Sequence, residues 1–114
     1  MSLVVLKVGG GVVATAAQAV EELVFQEHKV VLVHGAGAQI TFAMERLAMP
    51  VTFVDGRRVT SEAALDVVRA ALADVNAALC AAIGPRAAAF PDGVLDATAA
   101  PGLGLVGDPV PSAP

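Results

Sequence analysis

Two short glycine-rich segments follow apolar runs of the chain and have the composition of anion-binding loops. Gly9–Gly11 comes directly after Leu3–Val8, and Gly35–Gly37 comes just after Lys29–Val33. Glycine has no Cβ, so backbone N–H groups in such loops can converge on the oxygens of a phosphate or carboxylate. Either loop alone is more typical of a tight strand-to-helix turn, and neither matches the dinucleotide or Walker patterns. Two such loops at one sheet edge favour anion binding.

Lys7 interrupts the first apolar run two residues before its glycines. A buried ammonium group is costly unless it is paired, so we expect this side chain at the open edge of a strand. There its positive charge could stabilise a phosphoryl group during transfer. A lysine that only extends its ammonium group into water explains the pattern equally well.

Arg58 and Asn76 are further polar side chains that could reach a ligand. The guanidinium fork of Arg58 suits bidentate binding of a carboxylate, although a solvated strand arginine is the commoner interpretation. Arg57 must face the opposite side of a strand, so only one of the two arginines can point into a site. Asn76 either contacts the site or lies on a helix surface, and His34 either contacts a ligand or, in the commoner interpretation, is a hydrogen-bonded structural residue. No His, Cys, Asp and Glu grouping has metal-site spacing, so no metal ligand is predicted.

The composition excludes several classes of protein. Of the 114 residues, 56% are hydrophobic and 16% are charged, which favours a folded domain over a disordered segment. The formal net charge of -4 and the absence of Trp and Tyr make nucleic acid a poor partner. The single cysteine, Cys80, cannot form an internal disulfide. With no signal-peptide pattern and no long apolar span, the sequence predicts a cytoplasmic protein without a membrane segment.

The order of patterns in the first half of the chain predicts an α/β fold. The apolar runs Leu3–Val8 and Lys29–Val33 are interpreted as buried strands, and an amphipathic helix is predicted between them over roughly 15–26. Such a strand–helix–strand unit favours parallel strands. Both glycine loops would then leave the sheet at the same carboxyl edge, where ligands of open α/β sheets usually bind. A second helix should follow and end at Pro50.

The pattern changes after Val51. Asp55-Gly56 between Val51–Val54 and Arg57–Val59 is typical of a β-hairpin, and Ser61 is suited to cap a long helix that ends at Gly84-Pro85. The apolar stripe of that helix either packs on the sheet or forms a dimer seam; its members are Leu65, Val68, Leu72, Val75 and Leu79. We divide the chain into an amino-terminal domain, 1–85, and a poorly patterned Pro/Gly-rich tail, 86–114. Val94-Leu95 and Leu103–Val106 are candidate short strands in that tail.

Taken in order, three motifs and the long helix resemble the amino-acid kinase family. The motifs are Lys7–Gly10, Val33–Ile40 and Gly56–Thr60, and their spacing is most similar to the N-acetylglutamate kinases. The resemblance implies an αβα sandwich with a mainly parallel sheet plus a β-hairpin, and a homodimer built through the amino-terminal half. It also implies transfer of the γ-phosphoryl group of ATP, with Mg²⁺, to the side-chain carboxylate of N-acetyl-L-glutamate in arginine biosynthesis.

The same resemblance gives roles to individual residues. Lys7 would be catalytic and stabilise the transferring phosphoryl group, and Arg58 would hold the α-carboxylate of the acceptor. The substrate-binding set comprises Gly9, Gly10, Gly35, Ala36, Gly37, Arg58 and Asn76. Ala36 stands where the family usually has glycine, and its methyl group would crowd the acyl group or restrict the loop.

The length of the chain departs from the family pattern. Family chains are considerably longer, and their carboxyl half supplies the nucleotide pocket. We therefore expect an acetylglutamate kinase-like phosphotransferase that is incomplete and weakly active or inactive alone, with uncovered surfaces that promote dimerisation or aggregation. Two alternatives stay open: a non-catalytic acceptor-binding or dimerisation fragment, and a related amino-acid kinase for another carboxylate or carbamate acceptor.

Overall fold

A parallel pair of strands sets the geometry of the molecule. The computed structural model describes residues 2–9 and 11–109. Strands β1 (Leu3–Val8) and β2 (Lys29–His34) pair in parallel, and helix α1 (Val13–Phe25) connects them. The predicted α/β class with a parallel sheet and a hairpin is confirmed. Because the two strands are parallel, their carboxyl ends lie at one edge of the sheet.

Three helices pack around one apolar core. Helix α2 (Gly37–Arg46) follows β2, and helix α3 (Glu62–Ile83) is the longest helix. The buried core residues are Ala16, Ala36, Ile40, Met44, Ala64, Ala71, Val75 and Leu79. Most of the predicted stripe of α3 lies in or against this core, so packing within the chain accounts for its apolar residues, and the alternative of a dimer seam stays untested. None of the helices described in residues 2–9 and 11–109 is long and apolar enough to cross a membrane.

The two parallel strands are covered on one face only. Side chains alternate between exposed and half-buried along both strands, and those of Val8 and Leu32 pack against the helical core. On the opposite face, Leu3 is 67% exposed and Val31 is 48% exposed. The prediction of fully buried strands is therefore wrong for one face, because α1, α2 and α3 supply a helical layer on the other face alone within the described residues.

The predicted hairpin and helix cap are confirmed. Strands β3 (Phe53–Val54) and β4 (Arg57–Arg58) pair antiparallel across a turn in which Asp55 has a φ of 50° and Gly56 a φ of 77°. Positive φ at both positions is the requirement of a tight hairpin turn. The Ser61 hydroxyl then accepts a hydrogen bond from the Ala64 N–H at 3.1 Å, which satisfies one of the free donors at the start of α3.

The segment after α3 contains a second hairpin. Strands β5 (Ala97–Ala99) and β6 (Gly107–Pro109) pair antiparallel, so the strands predicted at Val94-Leu95 and Leu103–Val106 are displaced by a few residues. Two hydrogen bonds to Thr60 fix the position of the turn between β5 and β6. The Thr60 N–H donates to the Leu103 carbonyl at 2.9 Å, and the Thr60 carbonyl accepts from the Leu105 N–H at 2.7 Å. Residues 110–114 lie outside the described residues, and the division at residue 85 stays a prediction.

Gly104 lets this turn approach Thr60, and we expect Gly104→Ala to weaken the docking of the hairpin. A Cβ at Gly104 would overlap the Thr60 carbonyl oxygen. Gly102 is a matched control, because its φ of 76° is close to the 77° of Gly104 but an added Cβ there meets open space. Gly102→Ala should carry only the left-handed backbone cost of about 1–2 kcal/mol. Urea unfolding should show a larger loss of stability for Gly104→Ala, and equal losses would contradict the close approach.

Candidate functional site

The carboxyl ends of β1 and β2 bring the two glycine loops to one edge. The last residues of the two strands are register partners, so Gly9 and Gly35 leave neighbouring strands at the same level. An added Cβ at Gly9, Gly35 or Gly37 would meet nothing within 4 Å. Open space therefore lies beside each of these backbone positions, where ligand atoms can approach the chain. Gly10, the remaining glycine of the predicted binding set, lies outside the described residues.

Helix α2 begins inside the second loop. The N–H groups of its first turn have no acceptor within the helix, and the N-cap residue, Ala36, makes no side-chain capping bond. The positive end of the helix dipole therefore lies at the loop. Ala36 itself is 2% exposed and belongs to the helical core, so its methyl group packs inside and does not reach an acyl group at the loop. Its φ of -154° is negative, so this position does not carry the left-handed strain that would require glycine.

Arg58 is held against the start of α2. Its Nη2 donates to the Gly37 carbonyl at 3.2 Å and to the Thr41 hydroxyl at 3.0 Å. Its Nη1 lies 3.5 Å from the Met44 sulfur, and the guanidinium lies over the Phe53 ring at 4.7 Å from the centroid. These contacts fix the plane of the guanidinium, so its other N–H donors are presented in a set direction. Sequence reasoning missed Thr41, Met44 and Phe53, because nothing in their spacing pairs them with an arginine.

Arg57 points away from this site. It forms an ion pair with Asp108 at 2.7 Å and donates to the Gly107 carbonyl at 2.9 Å. The two neighbouring arginines thus face opposite sides of β4, as strand alternation requires. Of the two, Arg58 is the one that reaches the glycine loops.

Lys7 lies near the same edge but on the other side of the sheet. It is the register partner of Val33, and its side chain is on the exposed face. Arg58 contacts Met44 on the helical side. The structure therefore places the two cations on either side of the edge, and no contact joins them within the described residues. A joint role of Lys7 and Arg58 around one ligand stays a prediction.

Asn76 reaches the second loop through His34. Its Nδ2 lies 3.1 Å from His34 Nε2, and His34 Nδ1 lies 3.2 Å from the Gly35 carbonyl oxygen. His34 is hydrogen-bonded on both ring nitrogens, as the structural interpretation predicts, and contact with a ligand stays a prediction. Direct binding of substrate by Asn76 stays a prediction. The pairing itself could not be read from the sequence, since 42 residues separate the two side chains.

A groove of about 450 Å³ runs along β2 from His28 to His34. Its other walls are the second half of α1, the second half of α3 and the segment that follows α3, and its lining is mainly apolar. His34 and Asn76 belong to this lining, whereas Arg58 and the glycine loops do not. The groove and the glycine edge therefore meet at His34 and are separate features elsewhere.

Comparison with known proteins identifies the family. Residues 2–99 match the family model described as the amino acid kinase family. The chain belongs to the amino-acid kinase family.

Relatives of this amino-acid kinase chain share much of its sequence over part of their length. An acetylglutamate kinase of Frankia casuarinae is 44% identical over 75 residues, which cover 60% of this chain and 21% of the relative. An acetylglutamate kinase of Rubrobacter xylanophilus is 40% identical over an alignment of 115 positions, which covers 94% of this chain and 46% of the relative. The chain therefore spans less than half the length of these curated relatives.

A solved structure also resembles this amino-acid kinase chain. The crystal structure of smu.665 from Streptococcus mutans UA159 superimposes with a TM-score of 0.62 at 30% sequence identity. The superimposed region covers 72% of the present chain and 35% of the smu.665 chain. The fold is thus shared over most of the present chain and a minor part of the solved one.

The chemistry available at the glycine edge is the binding and positioning of anions. Backbone N–H groups, the start of α2 and Arg58 are all groups that stabilise negative oxygen atoms. Phosphoryl transfer depends on such fixed donors and positive charge and needs no nucleophilic side chain. Within the described ranges, no group of three or more His, Cys, Asp and Glu residues could hold a metal ion. The donor set of this amino-acid kinase chain therefore suits the oxygens of a carboxylate or phosphoryl group.

Proposed function

We propose that this chain is the acceptor-binding part of an acetylglutamate kinase-type enzyme and binds N-acetyl-L-glutamate at the glycine edge. The observation that carries the proposal is the position of Arg58, whose guanidinium is held at the Gly37 carbonyl beside the second glycine loop. The kinases named above, at 40–44% identity, support this choice of acceptor.

Arg58 is proposed to bind the α-carboxylate of the acceptor. Its contacts with Gly37 and Thr41 use Nη2, and its contact with Met44 uses Nη1, which leaves the Nε–H and one Nη1 hydrogen for a ligand. Because the guanidinium is already oriented, little side-chain entropy is lost when a carboxylate binds. The charge-assisted bonds are the strongest ones this site can offer.

The glycine loops and Lys7 are proposed to face the reacting phosphoryl group. In the proposed reaction, a side-chain carboxylate oxygen of the acceptor attacks the γ-phosphorus of ATP, the bond to ADP breaks, and an acyl phosphate forms. Mg²⁺ bound to the nucleotide would supply charge neutralisation of the phosphates. The N–H groups of Gly9 and of the α2 start would bind equatorial oxygens, and Lys7 would offset their charge.

A non-catalytic acceptor-binding module is the second candidate. The uncovered face of β1 and β2 favours it, because Leu3, Val5, Val31 and Val33 expose apolar surface there. Such a surface is typical of an interaction site. The homodimer implied by the family resemblance stays a prediction, and this face is one surface on which it could form.

Calorimetric titration distinguishes these possibilities. We expect saturable binding of N-acetyl-L-glutamate and weaker binding of glutamate or aminoadipate. With MgATP added, we expect little or no phosphoryl transfer by the 114-residue chain, because it spans 46% or less of the relatives described above. Binding of another acceptor alone would make the substrate assignment wrong, and robust turnover would contradict the expectation of an incomplete enzyme. If no carboxylate bound at millimolar concentration, the proposed function would be wrong.

A further inference from the structure

His34 and Asn76 form a bridge between α3 and the second glycine loop. Both side chains are half-buried, and the two contacts of 3.1 Å and 3.2 Å run from Asn76 to His34 and from His34 to Gly35. Cys80 extends the bridge, since its sulfur lies 3.9 Å from Asn76 Oδ1. The bridge therefore connects two turns of α3 with the loop that opens α2.

The hydrogen bonds of this bridge run in one direction. The Cys80 thiol donates to Asn76 Oδ1, which leaves the amide NH₂ of Asn76 facing His34. An amide nitrogen only donates, so His34 Nε2 accepts, and in a neutral imidazole the proton then lies on Nδ1. That N–H donates to the Gly35 carbonyl. Asn76 thus selects the tautomer of His34 that can bind the loop.

The bridge fixes the peptide plane between Gly35 and Ala36. A trans peptide is planar, and its C=O and N–H point in opposite directions. With the Gly35 carbonyl held at the His34 ring, the Ala36 N–H must point away from that ring. Glycine does not restrict its own φ and ψ, so this peptide would rotate more freely without the hydrogen bond.

We propose that His34 and Asn76 are positioning residues for anion binding at the glycine edge. Asn76 sets the tautomer of His34, and His34 orients the Gly35–Ala36 peptide that leads into α2, so that the N–H donors at the start of α2 are in place before a ligand arrives. Donors oriented in advance bind more tightly, because less ordering accompanies binding. The inference rests on the proposed function, in which that anion is N-acetyl-L-glutamate.

Asn76→Leu removes the donor while keeping a side chain of similar size. We expect its affinity for N-acetyl-L-glutamate to be roughly two- to tenfold lower than that of the wild-type chain, the effect of one neutral hydrogen bond. Gln18→Leu is the matched control, because it makes the same amide-to-leucine change at an exposed position of α1. Calorimetry should show unchanged affinity for Gln18→Leu, and circular dichroism should show equal helix content in all variants. An Asn76→Leu chain that binds as tightly as wild type overturns the inference.

Two variants of His34 distinguish its role as a hydrogen-bond donor to Gly35 from a role in packing alone. The Nδ2 of asparagine stands as many bonds from the backbone as the Nδ1 of histidine, so His34→Asn can still donate to the Gly35 carbonyl. We expect His34→Asn to bind the acceptor nearly as well as wild type and His34→Ala to bind it roughly two- to tenfold more weakly. Equal losses in the two variants overturn the donor role of His34.

Nitrogen NMR of the histidine rings tests the bridge without a ligand. In the free wild-type chain we expect His34 to carry its proton on Nδ1, and in Asn76→Leu we expect this preference to be lost. A proton on Nε2 in the wild-type chain overturns the inference whether or not the acceptor binds. If the wild-type chain binds no acceptor, the proposed function is wrong and the positioning role falls with it, while the tautomer still shows whether the bridge exists.

Discussion

Arg58→Ala is expected to lower the affinity for N-acetyl-L-glutamate by roughly 30- to 100-fold, the loss of one charge-assisted hydrogen bond. The guanidinium is fixed by Gly37, Thr41 and Phe53, so its remaining donors are available in one orientation. Arg58→Lys keeps the positive charge but loses the planar fork, and we expect an intermediate affinity. Calorimetric titration of each variant with the acceptor measures these effects.

Arg57→Ala is the matched control for this experiment. Arg57 is the neighbouring residue of the same strand, but its guanidinium is paired with Asp108 and Gly107 on the other side. We expect Arg57→Ala to leave acceptor affinity unchanged while it loosens the second hairpin slightly, since the ion pair is partly exposed. Similar affinity losses for Arg57→Ala and Arg58→Ala would mean that the ligand responds to the net positive charge of the chain and not to the oriented guanidinium group of Arg58.

Met44→Ala is expected to destabilise the chain by about 2–5 kcal/mol, the usual cost of deleting a large buried side chain. Met44 is 1% exposed and is the largest fully buried side chain of the described residues. Whole domains of this size are stable by only about 5–15 kcal/mol, so the variant should unfold at markedly lower urea concentration.

Two control variants test whether the loss of stability in Met44→Ala comes from the buried volume of its side chain. Met44→Leu nearly conserves volume and should cost less than about 1.5 kcal/mol. Leu47→Ala deletes a leucine that is 60% exposed at the end of α2, so we expect a small change in stability. If Met44→Ala proved no more costly than Leu47→Ala, the helical core described above would not be the main source of stability.

The local parts of the fold could be predicted from the sequence. The Asp55-Gly56 turn could be predicted because both residue types tolerate the positive φ that a tight hairpin turn requires. The Ser61 cap could be predicted because a serine hydroxyl just before a helix accepts a hydrogen bond from a free N–H group of its first turn. The parallel pairing of β1 and β2 also followed, because the helix between them returns the chain to the edge of the sheet where β1 began. These features depend on residues that are close together in the sequence, so the local sequence pattern is enough to predict them.

Features that depend on distant residues could not be predicted. The apolar runs of β1 and β2 predict buried strands, but coverage depends on which helices pack on the sheet, and those described cover one face. The burial of the Ala36 methyl group and the pairing of His34 with Asn76 likewise follow from the position of α3 beside the loop. The glycine loops could be placed at one edge, while the partners of Arg58 could not be named.

In the proposed function, the glycine loops and Arg58 bind one anionic ligand together. The most direct test is a two-dimensional NMR titration of the isotope-labelled chain with N-acetyl-L-glutamate. We predict that the backbone amides of Gly9, Gly35 and Gly37 and the side-chain N–H of Arg58 shift together along one saturation curve. Shifts confined to the groove between His28 and His34, or shifts of Arg58 without the glycines, would contradict the account.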